Sequence, residues 1–383
     1  MLGSNWINKG QGVLPIGLDI GHSAIKMVQL VAGGDGVRIL AADRAAVELD
    51  DAQGYDAQRE VITHTVQDLL ARNRFRGREV VSALPPNRLR ITSLRLAEAE
   101  MFQAERTLRK EAAHRFGLDP REDAINYILA GNVRQGDELK NEFILFATDD
   151  ETIRNHIALL EGAGLQPRGI DAGPCALFRN FDRTMRRQED RERTIIFIDV
   201  GHRYTIVVFG RAGEICFVKQ MAFGAARFAE DIAAKLAITT ADAESLRHKM
   251  QNGESVDAAT RRTVVDTLHA TAEQLAAEIS LCLRYYTVTF RGKRVERAVL
   301  AGGGVHETTL LDVMKHHLAI DTRIAAPFRG FDTTPTDAQS DAQGLSADYA
   351  LAVGLSLKGL NPALSGASAS DRELEPTLEG VIS

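Results

Sequence analysis

The sequence predicts a mixed α/β protein of two halves, each opening on a β-hairpin whose turn reads Asp-x-Gly. Three observations predict it. Gly17-Leu18-Asp19-Ile20-Gly21-His22-Ser23 is echoed by Ile198-Asp199-Val200-Gly201-His202-Arg203-Tyr204-Thr205, with the two Asp residues 180 positions apart (19 and 199). Each Asp follows an apolar run that reads as a buried strand and precedes a Gly that permits a tight reversal. Strand-like and helix-like patterns alternate along both halves, and the charged stretch 183–193, with Arg186-Arg187-Gln188-Glu189-Asp190-Arg191-Glu192-Arg193, divides them as a surface connection.

Taken in order, the first half reads as the hairpin, a strand over 37–42, a helix over 59–73 and a strand over 79–84 closed by Pro85-Pro86. From 88 to 167 come a strand over 89–96, a helix over 99–116 closed by Gly117, a strand over 124–130, a polar turn over 134–141, a strand over 142–148 and a helix over 150–162. This stretch reads as an inserted subdomain. The second half begins with the second hairpin, followed by helices near 225–235 and 239–250. A long helix from 256 to about 288 carries Leu268, Ala272, Leu275, Ile279, Cys282 and Tyr286 at steps of three and four, one apolar stripe read as core. A strand over 295–301 runs into Gly302-Gly303-Gly304 and a helix over 308–318; 330–348 reads as a loop, 349–358 as a helix and 362–383 as a disordered tail.

With 383 residues the chain is long enough for several cores. Its 46 basic and 52 acidic residues leave a formal charge of -6, no electrostatic footprint for nucleic acid. Cys175, Cys216 and Cys282 are far apart and without metal-ligand spacing, so they read as small core residues rather than a disulfide frame or zinc site. No apolar run approaches the roughly 18 residues that span a bilayer, and the first residues lack a signal-peptide pattern. The expected location is the cytosol, with a membrane reached only through a partner.

The chemistry lies in the repeated turns. Two glycine turns lined by N–H groups, each with an Asp at its base, make a clamp for a polyphosphate, with the Asp pair holding magnesium through water. Gly302-Gly303-Gly304 either lets backbone lie flat against a ring or phosphate or is a tight strand-to-helix turn.

These motifs in this order resemble the actin, sugar-kinase and Hsp70 superfamily and, within it, the PilM family of type IV pilus assembly proteins, related to the cell-division protein FtsA. The carrying residues are Gly17 through Leu30, Ala83-Leu84-Pro85-Pro86-Asn87, Ala163-Gly164-Leu165 with Ile170-Asp171, Phe197 through Gly201, Ala243-Glu244-Ser245-Leu246-Arg247 and Val299 through Gly304. The resemblance implies a bilobed actin-like ATPase fold of two RNase H-like lobes with an inserted FtsA-type subdomain. The lobes would be 13–84 with 167–190, and 191–360 with a helical subdomain at 226–294; the insert would be 85–166 and the tail 361–383. It implies ATP and magnesium as cofactors. Asp19 and Asp199 would orient magnesium-bound waters. Gly21, His22, Ser23, Gly201, His202, Arg203 and Thr205 would meet phosphate, and Gly302, Gly303, Gly304, Glu244 and Arg247 the adenosine. Lys26 is spaced like a phosphate-contacting lysine or is a solvent-facing strand residue. The implied partners are a PilN-like inner-membrane protein, gripped by its cytoplasmic segment in a groove beside the insert, and other pilus assembly proteins, with self-association open.

The chain departs from that pattern in three places. The second turn carries His202-Arg203-Tyr204 where relatives have small residues, and both turns place a His after the Gly. Two Asp and two His would also suit a transition metal, a reading ranked below magnesium. Arg247 stands where relatives carry Lys. After Ile170-Asp171 the chain has Ala172-Gly173-Pro174 where relatives place a Glu that orients the attacking water, so the expectation is a nucleotide-binding scaffold or at most a slow ATPase. The alternatives are an FtsA- or MreB-like filament protein and a small-molecule kinase.

Overall fold

A computed structural model describes residues 12–33, 36–49, 55–185, 192–290, 294–332 and 346–360. The predicted tail 361–383 and most of the charged connection 186–191 lie outside these residues. The chain forms two units: residues 1–84, 154–184 and 326–383, and residues 85–153 and 185–325.

The first unit is built on a six-stranded sheet. β1 (Gly12–Val13), β3 (Ala24–Gly33), β2 (Ile16–Ile20), β5 (Glu79–Ala83) and β9 (Gln166–Asp171) lie in that order, with β4 (Gly36–Ala46) also on β3. All five residues of β2 are buried, so this strand needs cover on both faces. On one face Ile16, Leu18 and Ile20 pack with Ile62, Val66 and Leu69 of α1 (Tyr55–Arg72) and Leu159 and Leu160 of α3 (Asp150–Gly162). On the other face α4 (Gly173–Asp182) and the C-terminal helix pack closely, α4 through Ala176.

That C-terminal helix, Ala350–Ser356, corrects the sequence reading, which placed it in the second lobe. A Cβ on Gly17 would lie 2.0 Å from Ala352 O, and one on Gly354 would lie 1.8 Å from Ala176 O. Two glycines therefore let backbone meet backbone, and the chain returns to complete the first unit's second layer. Residues 154–166, read as part of the insert, also belong here, because Leu159, Leu160, Ala163 and Leu165 enter the β2 core.

The second unit carries a five-stranded sheet in the order β12 (Glu214–Met221), β11 (Thr205–Arg211), β10 (Thr194–Val200), β13 (Val295–Ala301), β14 (Asp321–Ile324). Its helices are α5 (Ala226–Leu236), α6 (Thr240–Gln251), α7 (Ala258–Thr289) and α8 (Thr308–Leu318). The predicted stripe of α7 is buried throughout, and Tyr286 stacks between Phe209 and Phe290 at 4.8 and 4.9 Å. Burial pushes the Cys216 and Cys282 thiols up to about 11, as befits small core residues.

The inserted stretch contributes a three-stranded sheet, β6 (Arg90–Ala97), β8 (Glu138–Thr148), β7 (Ala124–Gln135), whose Leu96, Phe143 and Leu145 bury Leu108 and Ala112 of α2 (Ala104–Phe116). It groups with residues 185–325 in the second unit. The polar stretch read as a turn over 134–141 is mostly strand: pairing continues to Gln135–Glu138. Polarity there marks an exposed hairpin arm, not the loss of its ladder.

Candidate functional site

In the first unit the β2–β3 register decides the chemistry. The hairpin closes with Gly21 N donating to Ala24 O at 3.1 Å, and a Cβ on Gly21 would lie 2.8 Å from that oxygen. Counting back from this turn pairs Asp19 with Lys26 across the strands, and Lys26 Nζ donates to Asp19 Oδ2 at 2.9 Å with both side chains largely buried. Lys26 is therefore neither solvent-facing nor idle: it neutralises Asp19. His22 O and Ser23 O accept from Leu49 N and Val47 N at 2.9 and 3.0 Å, which pins the turn from behind. Beneath it, the buried Ser82 Oγ donates to Leu18 O at 3.1 Å, so the contact with His156 Nε2 at 3.2 Å has the ring as donor. Burial pushes His156 down to about 4, and the ring is neutral.

The second unit repeats the backbone and changes the side chains. Gly201 N donates to Tyr204 O at 2.9 Å, and a Cβ on Gly201 would lie 2.9 Å from that oxygen. Opposite Asp199 stands Ile206, not a lysine. Gly201 O and His202 O accept from Ala225 N and Ala226 N at 2.9 and 2.8 Å, so the start of α5 backs this turn. Arg203 reaches Glu230 at 3.5 Å. Thr205 is fully buried, and its hydroxyl donates to Phe223 O at 2.7 Å, which holds the strand after the turn in place.

The glycine run divides by role. Gly302 has φ 83°, and a Cβ there would lie 2.4 Å from Asp199 Oδ1, while one on Gly304 would lie 2.4 Å from Val200 Cγ1. These two are glycines because β13 presses on the end of β10. A Cβ on Gly303 would meet nothing within 4 Å, and it is exposed. Of the three, only Gly303 has no packing reason to be glycine.

Arg247 Nη1 meets Glu244 at 3.0 Å, and its Nη2 meets Glu307 Oε2 at 2.9 Å. Its buried Nε has no hydrogen-bond partner among the described residues. The sequence reading missed Glu307, which also accepts from Thr309 N at the start of α8; the available signal was an acid in the cap position ahead of Thr308-Thr309. Asp171, at the end of β9, is held by Arg179 at 2.8 Å and Lys358 at 3.2 Å. Burial works to raise its pKa, yet these two cations outweigh it and hold the carboxyl below the usual range.

The structure thus gathers Asp19, Gly21, His22, Ser23 and Lys26 on one hairpin of the first unit. In the second it gathers Asp199, Gly201, His202, Arg203 and Thr205 with Gly302, and separately Glu244 and Arg247 with Glu307. A carboxylate at the base of a glycine turn, joined in one case by an ammonium, is a donor set that fits magnesium and a polyphosphate: carboxylate for the ion's waters, ammonium and turn for phosphate oxygens. Among the described residues no group of three or more His, Cys, Asp or Glu is placed to hold a metal ion, and no helix is long and apolar enough to cross a membrane.

A family model described as "Type IV pilus assembly protein PilM" matches residues 17–360. No curated protein sequence matches the chain. Among solved structures it is similar to a PilM-PilN type IV pilus biogenesis complex, with TM-score 0.74 and 21% identity over 91% of this chain and 99% of that one. It is also similar to the ethanolamine utilization protein EutJ from Carboxydothermus hydrogenoformans, with TM-score 0.52 and 13% identity over 92% of each chain. These likenesses carry the fold, an actin-like α/β architecture.

Proposed function

The chain belongs to the family of type IV pilus assembly protein PilM, and from that premise we propose that it is an ATP-binding adaptor of the pilus or a related secretion machine, working at the inner face of the cytoplasmic membrane by holding the cytoplasmic segment of a PilN-like protein. One observation carries the nucleotide part: the same Asp-x-Gly turn, closed by the same N–H to carbonyl bond, occurs once in each unit. Bound magnesium would neutralise the phosphates. In each unit the turn's carboxylate, Asp19 or Asp199, would orient waters on magnesium, Lys26 would exchange Asp19 for phosphate, and Gly303 would offer an open backbone face to the adenosine. Arg247 is tied to two carboxylates and would shape that side without donating to a base.

The partner part rests on the family and on a structural likeness to a chain solved as a PilM-PilN complex. The scaffold reading of turnover is supported at Asp171, where two cations engage the carboxylate, and by Ala172-Gly173-Pro174 after it, which offer no side chain to align a water. Equilibrium binding of a fluorescent ATP analogue with magnesium, followed by phosphate release under saturation, tests the proposal. It expects saturable binding with little release. Fast turnover would overturn the scaffold reading, and no binding to folded protein would overturn the nucleotide reading.

A further inference from the structure

From the last residue of α1 to the start of β5 the chain runs Arg72-Asn73-Arg74-Phe75-Arg76-Gly77-Arg78, four arginines in seven residues of an otherwise acidic chain. The loop is built, not slack. Phe75 is buried in the β2 core, and the buried Gln29 clasps the loop backbone from both sides: Arg76 N donates to Gln29 Oε1 at 2.7 Å, and Gln29 Nε2 donates to Arg76 O at 2.7 Å. With the backbone fixed, the arginine side chains are left exposed. Arg72 is paired with Asp43. Among the described residues neither Arg76 nor Arg78 forms an ion pair; Arg78 donates to Gly77 O.

We propose that this arginine loop is the docking site for the chain's own acidic segment, residues 371–379. Asp371, Glu373, Glu375 and Glu379 against one Arg372 give that segment a net charge of -3 (four acids less one base), complementary to the loop. The path of the chain favours the same occupant. The last described residues pack on the strand segment that Gln29 holds: Leu360 joins the cluster of Leu14 and Leu30, and Ser356 Oγ donates to Pro15 O at 2.8 Å. Leu14 O in turn accepts from the same Gln29 Nε2 that holds Arg76. One glutamine side chain thus links the backbone that Leu360 packs near to the backbone of Arg76. Residues 361–370 separate Leu360 from Asp371, and ten residues can span at most about 33 Å, a reach that allows Asp371 to meet the loop. A tether of that length supplies a millimolar effective concentration of acidic segment. The loop is then covered until a more acidic or more tightly held ligand displaces the tail.

The test places p-benzoylphenylalanine at Leu374 in the full chain and maps photo-adducts by mass spectrometry. Adducts within one chain at residues 72–79 are expected, falling about tenfold with Arg76→Glu and Arg78→Glu and returning when Glu373→Arg and Glu375→Arg restore complementarity. High salt should weaken them as well. The two arginines are exposed, so the variants keep the fold, which circular dichroism checks. Adducts elsewhere, or insensitive to the arginine changes, overturn the proposal. Adducts between chains would make the occupant a second copy. Binding to anionic phospholipid vesicles that depends on Arg76 and Arg78, and is unchanged by neutralising the tail acids, would make it a lipid surface; either result also overturns the proposal.

Discussion

Gly302 and Gly303 are neighbours with different obligations, and the difference separates folding from binding. Gly302→Ala puts a methyl group into Asp199 at a φ that alanine rarely adopts, so a loss of at least about 2 kcal/mol is expected in chemical denaturation. Gly303→Ala meets nothing and should leave stability within about 0.5 kcal/mol. If the adenosine lies along this turn, Gly303→Ala will nevertheless weaken ATP binding, read by fluorescence titration. His156 gives a second prediction at this scale. Its folded pKa of about 4 lies below the unfolded value near 6.5, so the unfolded chain takes up the proton first as pH falls. Stability is full above pH 6.5 and is lost between 6.5 and 4, by about 3 kcal/mol at pH 4. Denaturation of His156→Gln over the same range should show a flatter profile; an identical slope would remove His156 as the cause.

At the scale of elements, the inserted sheet is fastened to α7 by a polar link. Arg95 Nε meets Glu142 at 2.6 Å and its Nη2 meets Tyr285 Oη at 3.3 Å, with Glu142 almost wholly buried. Arg95→Ala leaves that carboxylate without its counter-charge, and a loss of about 3 kcal/mol is expected, with Arg95→Ala/Glu142→Gln recovering part of it. Element type was legible wherever burial imposed a period: the α7 stripe, the β10 and β13 runs, and the α3 and α8 spans. It was illegible where local chemistry pointed away from the structure. The β7–β8 arm is polar because it is exposed. β14 is a short exposed edge strand with little apolar signal, and α4 begins on Gly173-Pro174, a pair with no helical period although proline suits a helix's first turn. The turn glycines and Asp residues were legible because their spacing is local. The partners of Asp171, Arg247 and Ser82 were not, since Lys358, Glu307 and His156 arrive from distant segments.

For the whole molecule, duplication is of backbone and not of chemistry. Both units present a turn closed by the same hydrogen bond, yet only Asp19 faces a lysine, while Asp199 faces Ile206 and abuts Gly302. The sequence showed the repeat but not this asymmetry, which depends on strand register and on β13 lying beside β10. It also hid the return of Ala350–Ser356 to the first unit, because that packing depends on Gly17 and Gly354 having no side chain. If each turn serves a nucleotide phosphate, as proposed, loss of either aspartate weakens binding of magnesium-ATP. The most direct measurement is calorimetric titration of magnesium-ATP into the wild-type chain and into Asp19→Ala and Asp199→Ala, with folding checked beforehand. Saturable binding by the wild type and at least about a tenfold loss in each variant are expected. Wild-type affinity in either variant, or no binding by the folded wild type, would contradict the proposal.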